Sequence, residues 1–444
     1  MKHAPVRNAP TTPRRTMARR ATFSALLGST VEYYDFTLYA TAAALFLGEI
    51  FFKPLGPAAG TLASFVTFGL AFVARPVGAV VFGHVGDRIG RRPALVWAVT
   101  LMGISTFGIG VLPGYASVGM AAPVLLVIMR LLQGFSVGAE QAGSNALTLE
   151  HAPGGQRARF AAWTMQGTAL GTLFGKLAFI AVVGMPHDML MAWGWRIPFL
   201  AAGPLLLVAV WIRARVEEAP EFVAADRPAR VPVAEVVRSH WLAVVLVAGG
   251  TLLMAGGAAL NVFGLNVATK IGGVPERTFL WVLVGATVLE LILQPLWARL
   301  ADRIGRRPVL VGTLVVEAGL FFVYLPALVS GRTLGIGVTA LAMAAAWSGA
   351  NAVSASFFAE QFPTRVRFTG TALGSQLGMI LVGFSPAIMM GNLGEGGATW
   401  QHSALFGAGC MVVAAVSCLV SRETAKLSLA DLGGRRGEGA SVQV

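Results

Sequence analysis

The sequence is poor in charged residues, and this scarcity limits the class of protein that it can encode. Asp, Glu, Lys and Arg make up only 12% of its 444 residues, while 55% are hydrophobic and the mean hydropathy is +0.70. That charged share is about half of the share found in ordinary soluble domains. A chain with so few charges cannot cover a globular surface with solvated side chains, so a soluble globule is excluded.

Cysteine is nearly absent, and the patterns that hold metals or nucleotides are missing. Cys410 and Cys418 lie on one apolar stretch, ~12 Å apart if that stretch is helical, which is too far for a disulfide. The six histidines have no metal-binding spacing, and no Walker-type phosphate loop occurs. We therefore expect no metal, no cofactor, no ATP hydrolysis and no enzymatic activity.

What the sequence has in abundance is long apolar stretches. Twelve of them are about 20 residues long, enough to cross a hydrocarbon core of ~30 Å as helices. They do not alternate with a period of two, so a β-barrel is not expected. Glycines four residues apart, Gly134 with Gly138 and Gly167 with Gly171, predict close helix packing. The predicted fold is an all-α membrane protein with approximate spans 22–46, 61–83, 94–112, 120–143, 159–183, 194–212, 241–265, 278–298, 309–330, 333–356, 368–390 and 400–421.

The 34 Lys and Arg residues are unevenly distributed about these spans. By the predicted topology, 26 lie on the side of the N-terminal tail and four on the other side, while Arg75, Arg130, Lys176 and Arg196 lie in or at the edges of spans. The positive-inside rule predicts that the first side and both termini are cytoplasmic, with the first span a retained helix rather than a signal peptide. The net charge of +13 therefore indicates membrane orientation and not a nucleic-acid partner.

An internal repeat divides the chain into halves. The block DRIGRRP occurs within GHVGDRIGRRPAL (83–95) and again within ARLADRIGRRPVL (298–310), 215 residues later. Each copy follows the second span of a six-span half, which predicts two parallel six-helix bundles. We expect a basic tail, a first bundle, a cytoplasmic linker, a second bundle and a cytoplasmic tail at 1–20, 21–212, 213–240, 241–421 and 422–444.

GHVGDRIGRRPAL resembles the signature loop between helices two and three of the major facilitator superfamily. Three further stretches, GSTVEYYDFTLYATAAALF (28–46), RLLQGFSVGAE (130–140) and WGWRIPF (193–199), are similar to its metabolite:proton symporter family, and above all to the shikimate permease group. The resemblance implies the major facilitator fold and proton-coupled carriage, relatives taking shikimate, citrate, 2-oxoglutarate, or proline and betaine. The chain departs from the family pattern where Gly-Ala-Glu-Gln (138–141) replaces an expected Gly-Gly-Glu, which leaves room for a different solute.

The repeated loop predicts a gate that forms and breaks as the two bundles rock. Helix ends expose backbone N–H and C=O groups without partners, which the acid and the arginines can cap and pair. A lone acid among basic residues adds nothing to orientation, so Asp87 favours a latch, whereas the arginines could equally be topology anchors. The second copy lacks the leading glycine, and we expect the weaker gate there. The predicted gate residues are Gly83, Asp87, Arg88, Gly90 and Arg91, with Asp302, Arg303 and Arg306 in the second copy.

Ionisable residues inside the spans indicate function, because a charge in the hydrocarbon region is costly. Glu32 and Asp35 are three residues apart and therefore share one face of the first helix. Two carboxylates this close raise each other's affinity for protons, which suits a proton-loading site. The alternative is that one of them pairs with Arg130 for structure. Glu140, on the fourth span, is a third candidate for proton coupling.

A second set of residues is predicted to bind the solute. Arg130, with Gln133 one turn away, can hold a carboxylate through two parallel hydrogen bonds. Lys176 either contacts the solute or extends its ammonium group to the outer interface. The remaining candidates offer neutral hydrogen bonds or an aromatic ring, and are Tyr33, Gln166, Asn266, Asn351 and Gln376. Glu290 and Glu317 are isolated acids without an assigned role.

These features predict a secondary transporter in the cell (inner) membrane. We expect proton symport of a small polar metabolite, an organic acid of the shikimate or di- and tricarboxylate kind, by alternating access. A proton-antiport exporter of a drug or secondary metabolite is one alternative, and a membrane sensor that transports nothing is another. The acids Glu32 and Asp35 argue against a sensor, which needs no proton sites. The expected partners are the solute, protons and the lipid bilayer, with no nucleic acid, and the chain is expected to be a monomer.

Overall fold

A computed structural model describes residues 14–89, 91–138, 156–204, 207, 232–364, 366–427 and 432, and within these ranges the chain is mainly helical with no β-strand. Twelve helices, numbered here α1 to α12, correspond to the twelve predicted spans. They are α1 (Arg14–Leu45), α2 (Gly56–Ile89), α3 (Arg91–Val111), α4 (Ala121–Val137), α5 (Arg157–Val182), α6 (described over 197–204), α7 (Trp241–Ile271), α8 (Glu276–Ile304), α9 (Arg306–Ser330), α10 (Thr333–Glu360), α11 (Arg367–Asn392) and α12 (Trp400–Val420).

The surface and length of the helices are those of a multi-pass membrane protein. By length and composition, α2, α5 and α7 to α12 can each cross a membrane, and α3 and α4 contribute shorter apolar segments in the part of the chain that is described. Large apolar side chains on the outside, such as Val80, Ile104, Val124 and Ile292, are more than a third exposed in the absence of lipid. Such a surface is stable in a bilayer and unstable in water.

The two helices that carry the repeated block extend further than the apolar stretches predict. α2 continues to Ile89 rather than ending near residue 83, and α8 continues to Ile304 rather than ending near residue 298. The apolar stretch marks the thickness of the hydrocarbon core, whereas backbone hydrogen bonding continues through the repeated Asp-Arg-Ile segment beyond it. Both copies of the repeat therefore begin on a helix and end where the next helix starts.

The predicted glycine pairs do lie at close helix contacts. A Cβ atom added at Gly134 would overlap the carbonyl oxygen of Ala71 on α2, and one added at Gly171 would overlap that of Thr30 on α1. Gly138 and Gly167 face the same two helices in the same way. Small residues at four-residue spacing thus bring α4 against α2 and α5 against α1.

The chain forms two bundles, α1 to α6 and α7 to α12, that meet along several helix pairs. α5 packs against α8 and α10, α2 packs against α11, and α1 packs against α7. One end of the interface carries Arg157, Asp302, Arg306, Glu360 and Glu423, and this end is called the charged face below. The other end is called the opposite face. Any movement that opens a path between the bundles must separate these helix pairs at one end or the other.

Candidate functional site

The Asp35 carboxylate lies inside the first bundle and is held by neutral donors from two other helices. Its side chain is 2% exposed. The hydroxyl of Thr106 on α3 donates a hydrogen bond to one carboxylate oxygen, and the side-chain amide of Gln133 on α4 donates to the other at 2.5 Å. Since neither donor carries a charge, Asp35 can exist as a carboxylate or a neutral acid without losing an ion pair in direct contact.

Arg130 is connected to Asp35 through Gln133. Its guanidinium donates to the side-chain oxygen of Gln133, while the amide of the same glutamine binds Asp35. It also donates to the carbonyl oxygen of Phe68 at 3.0 Å and lies 3.7 Å from the centre of the Tyr39 ring. The structure thus brings Arg130, Gln133 and Asp35 together. The sequence also allowed one of the two acids to pair with Arg130 for structure. In the structure Asp35 and Arg130 are connected through Gln133.

Glu32 and Arg75 lie next to this group. Both side chains are buried, and both line an internal pocket together with Asp35 and Arg130. The guanidinium of Arg75 lies 4.5 Å from the centre of the Phe72 ring. The pocket has a volume of about 10 Å³, which is room for about one water molecule and not for a metabolite. A solute can reach these residues only after the helices move apart.

Several predicted solute-binding residues lie where the two bundles meet. Gln166 on α5 donates to the side-chain oxygen of Gln294 at 3.0 Å and Gln376 on α11 donates to the carbonyl of Gly138 at 3.3 Å. The structure therefore brings Gln166 and Gln376 to the bundle interface. Lys176 on α5 is also buried there, with its ammonium hydrogen-bonded to the second bundle. Of the two positions predicted for Lys176, extension of the ammonium group to the outer interface is therefore not the one observed.

Asn266 lies in an irregular part of α7. It is flanked by two π-helical segments, Ala259–Phe263 and Val267–Ile271, and its side-chain amide donates to the carbonyl of Ala44 on α1 at 2.7 Å. π-Helical turns are rare and occur frequently at functional sites. The apolar stretch gave no indication of them, because they are set by backbone hydrogen bonding rather than by composition.

The remaining predicted residues are less closely associated with this group. Tyr33 on α1 is partly buried and its ring lies 5.8 Å from that of Phe36, while Asn351 is buried on α10. Glu140 lies outside the described residues.

An apolar groove lies elsewhere. It has a volume of about 820 Å³ and lies between α2 and α11, with lining residues that include Leu62, Val66, Leu377 and Phe384. No charged side chain lines it. It is therefore a surface for lipid chains rather than a site for a polar solute.

An ion network joins the two bundles at the charged face. Glu360 at the end of α10 is fully buried and lies 3.0 Å from Arg157 at the start of α5. Arg306, at the start of α9, lies 3.4 Å from the same carboxylate and 3.0 Å from Asp302 at the end of α8. Asp302 also accepts hydrogen bonds at 3.2 Å from the backbone amide of Ala158, and from that of the next residue. It therefore caps the first turn of α5 from the other bundle.

The predicted gate residues are distributed unequally over this network. Asp302 and Arg306 belong to it, whereas Arg303 is exposed at the end of α8 and makes none of its described contacts. The gate residues of the first copy cannot be compared with this network, because the structure does not describe them or their side chains. They are Gly83, Asp87, Arg88, Gly90 and Arg91. The predicted ranking of the first copy above the second therefore stays a prediction.

The segment after α12 is part of the same network. Glu423 accepts hydrogen bonds from the backbone amides of Arg306 at 3.1 Å and Arg307 at 2.9 Å, and so caps the start of α9. Burial alone would raise the pKa of the Glu423 carboxyl, but these two amides and those of Thr424 and Ala425 together lower it. Arg157 donates to the carbonyl oxygen of Thr424 at 2.8 Å. The sequence indicated only a polar tail here.

Sequence reasoning missed five residues of these two groups, namely Thr106, Arg75, Arg157, Glu360 and Glu423. Two signals could have found three of them. Arg75 is a charge inside an apolar span, as Arg130 is. Glu360 and Glu423 are acids at the end of apolar spans on the basic side of the protein, which is the argument that selected Asp87.

Comparison with known proteins shows which protein family the chain resembles. The sequence profile described as "Sugar (and other) transporter" matches residues 21–229 and 231–432. The shikimate transporter of Escherichia coli strain K12 is 35% identical over 419 residues, which covers 91% of this chain and 94% of that protein. The inner membrane metabolite transport protein YhjE of the same organism is 33% identical over 430 residues, with 91% and 94% covered.

Solved structures show the same architecture. The xylose transporter XylE from E. coli, in a partially occluded inward-open conformation, matches with a TM-score of 0.74 at 18% identity, over 92% of this chain and 99% of that chain. XylE described as a proton:xylose symporter of the major facilitator superfamily, bound to 6-bromo-6-deoxy-D-glucose, matches with a TM-score of 0.74 at 18% identity, over 93% and 97%. At this identity the match shows the fold, which is two six-helix bundles of the major facilitator type.

Proposed function

The chain belongs to the sugar (and other) transporter family, and from that premise we propose that it carries a small organic acid across the inner membrane together with protons. The observation that carries this proposal is the Asp35 carboxylate, buried in the first bundle with neutral hydrogen-bond donors on both oxygens. Such a group can take and release a proton as its surroundings change from closed to water-filled. The hydrogen bonds that Asp35 makes in this structure allow both its protonated and its deprotonated form.

The proton-loading site comprises Asp35 and Glu32. Their carboxyl groups line one small pocket, in which Arg75 and Arg130 supply positive charge. Two acids and two guanidinium groups in one apolar pocket are balanced, so adding or removing a proton changes the attraction between α1, α2 and α4. Glu140 belongs to the proposed site on sequence grounds alone.

The solute is proposed to be an anion because two fixed cations are buried, one inside the first bundle and one at the bundle interface. Arg130 and Lys176 are buried and can each hold a carboxylate. Neutral groups that orient hydroxyl and carbonyl groups of the solute are proposed on sequence grounds to be Gln133, Gln166, Asn266, Asn351 and Gln376, with Tyr33 as an aromatic wall. The 35% identity to a protein named as a shikimate transporter favours the same solute class.

Alternating access then uses the charged face as a cytoplasmic latch. Breaking the contacts of Arg157 and Asp302 across the bundles opens that face, and forming them favours opening of the opposite face. The orientation follows from the 26 basic residues on the side of the charged face. A cysteine introduced into the 213–240 linker should react with an impermeant thiol reagent only after cells are opened, and labelling of intact cells would overturn this orientation.

The experiment that tests the proposal is uptake into proteoliposomes with an imposed proton gradient. The solute panel is shikimate, citrate, 2-oxoglutarate, benzoate and betaine. Accumulation of an acid that stops when a protonophore collapses the gradient supports symport. Efflux driven by inward proton flow would favour the exporter alternative, and no flux of any panel solute, with binding retained, would favour the sensor.

A further inference from the structure

Lys176 lies where α5 of the first bundle meets α8 of the second. Its ammonium donates a hydrogen bond to the hydroxyl of Thr287 at 2.6 Å and another to the carbonyl oxygen of Leu283 at 3.2 Å. The side chain is 2% exposed. Both acceptors are neutral, so these bonds orient the ammonium without balancing its charge. A buried cation in an apolar bundle needs an anion within reach.

Glu290 supplies that anion from the other bundle. It follows Thr287, whose hydroxyl binds the Lys176 ammonium, by one turn of α8, and its side chain is buried, so that its carboxyl group lies near the ammonium without a direct ion pair among the described residues. Glu317 on α9 completes the group, because it interacts electrostatically with Glu290. Within the described residues neither oxygen of Glu317 has a hydrogen-bond partner, and one of them lies against Gly256 of α7. One cation and two acids are therefore buried together.

The other ionisable groups on the helices around Glu290 are engaged elsewhere. Tyr324 on α9 donates to a backbone carbonyl of α7 at 3.5 Å. Lys270 and Glu276 pair at 3.3 Å near the opposite face, where both are partly exposed. The acids and arginines at the ends of α5, α8, α9 and α10 belong to the charged face or are exposed, the exposed ones being Arg277, Arg299, Arg303 and Arg332. Among the described residues, Lys176 and Glu317 are thus the charged partners available to Glu290.

We propose that Lys176 and Glu290 form a coupling pair that exchanges partners during transport. When the bundles part at the opposite face, the Lys176 ammonium binds a carboxylate of the solute and the Glu290 carboxylate binds a proton from the same solution. The inference rests on the proposed symport of an organic acid and assigns it a second proton, loaded in the second bundle. Neither bundle alone holds both members of the pair.

The exchange leaves the net charge of the site unchanged. It can therefore couple the binding of the solute carboxylate to the binding of the proton. Before opening, the pair is one ammonium and one carboxylate; after loading, it is an ammonium with a bound carboxylate and one neutral acid. Parting α5 from α8 removes the cation from Glu290 and leaves it beside a second acid, which favours proton uptake. It also leaves the ammonium without its anion, which favours the solute. Each load therefore strengthens binding of the other.

The first test is equilibrium binding of shikimate and of each other panel acid to the purified protein over a series of pH values. The proton on Glu290 should strengthen wild-type binding by up to about tenfold per pH unit as the pH falls through the range in which Glu290 is loaded, in addition to the dependence that Asp35 and Glu32 contribute. Glu290→Gln should lose this dependence, because the amide mimics the loaded acid, while Glu290→Asp should keep it. Lys176→Met should lose acid binding at every pH. Glu276→Gln, on the same helix, is the matched control.

The second test needs no solute. In a variant with Cys410 and Cys418 replaced by serine, a cysteine at Ala44, which is buried beside the Asn266 contact, reports opening of the opposite face by its alkylation rate. The thiolate is the reacting form, so each rate is divided by that of a fully exposed thiol at the same pH; this normalised alkylation should be faster at acid pH in the wild-type background. In Glu290→Gln it should be as fast at neutral pH as the parent is at acid pH.

The outcomes separate this inference from the proposed function. If the wild type accumulates an acid with the proton gradient but Glu290→Gln keeps the parent's pH dependence of binding and of alkylation, the coupling pair is overturned and symport stands. If the wild type binds and carries no acid, the uptake panel itself contradicts the proposed function, and the assignment of Lys176 as a carboxylate site falls with it. Loss of pH dependence in Glu290→Gln and of acid binding in Lys176→Met supports the pair.

Discussion

Arg157 of α5 and Glu360 of α10 form an ion pair across the two bundles, with Nε of the arginine 3.0 Å from a carboxylate oxygen and both side chains almost fully buried. The two residues are far apart in the sequence and belong to different six-helix bundles. Glu360 also binds Arg306, so that one acid holds two arginines from two helices. The closed state of the charged face therefore depends strongly on a single carboxylate.

Glu360→Gln should open the charged face. Removing one partner of a buried pair costs about 3–5 kcal/mol, because the remaining charges stay buried without an anion. A cysteine at Ala158, which is buried in the wild type, should then be alkylated at least about tenfold faster in a background without native cysteines. Glu276→Gln removes a partly exposed pair, worth under about 1 kcal/mol, and should leave that rate unchanged. Equal rates in the two variants would show that Glu360 does not hold the face closed.

The two copies of the repeat should differ in their tolerance of mutation. Asp87→Asn should reduce transport strongly with the protein still inserted, and Asp302→Asn should reduce it less, because the second copy lacks the leading glycine. Asp302→Ala should be worse than Asp302→Asn, since only the amide keeps an oxygen to cap α5, a contact worth roughly 1 kcal/mol. Uptake rate normalised to inserted protein is the measurement. Full activity in both asparagine variants would reduce the repeats to topology anchors.

The Glu423 cap should make part of the stability depend on pH. Its pKa is lowered in the folded protein, so its contribution is present above the unfolded value of about 4.3 and is lost as the pH falls through the lower folded value. Glu423→Gln should therefore lower the thermal midpoint in detergent at about pH 7, by the equivalent of roughly 1 kcal/mol, and this deficit should shrink at a pH below the folded pKa. Glu395→Gln, at an exposed loop position, is the control. A deficit that is the same at both pH values would contradict a charged cap.

Arg130→Lys should abolish solute binding as well as accumulation. The guanidinium binds Gln133 and the Phe68 carbonyl while lying over the Tyr39 ring, and an ammonium has neither the fork nor the planar face for this. Arg196 is the matched control, because it too donates to backbone carbonyls and lies over an aromatic ring, that of Trp195. Arg196→Lys should keep binding. If Arg130→Lys binds normally while Asp35→Asn loses all binding, the roles are reversed and the acids hold a cationic or zwitterionic solute.

The sequence was sufficient for the helices and for their closest contacts. Apolar stretches of membrane length predict spans, and glycines at four-residue spacing predict where helices touch, because both depend on residues near in sequence. Partners across helices depend on how each helix is rotated about its axis, which no local pattern sets. Thus Asp35, Arg130 and Gln133 could be selected from the sequence, but not the hydrogen bonds by which Gln133 connects the other two, nor the contact of Lys176 with Thr287.

The charged face shows the same limit. Asp302 and Arg306 could be predicted from the repeat, because the repeat places them at a helix junction. Their partners could not be, since Arg157 was one of many basic residues on that side and Glu423 follows the last span. What selects Arg157 is the position of the start of α5 between α8 and α10, and that is a property of the packed bundles.

The most direct test of proton coupling is the comparison of uphill accumulation with counterflow for Asp35→Asn in proteoliposomes. The asparagine keeps the shape of the side chain and cannot carry a proton cycle. We predict that proton-driven accumulation is lost while counterflow, which exchanges solute without net proton movement, is retained, with Glu32→Gln behaving likewise and Asp188→Asn, at an exposed acid, behaving as wild type. Accumulation by Asp35→Asn at the wild-type level would contradict the account.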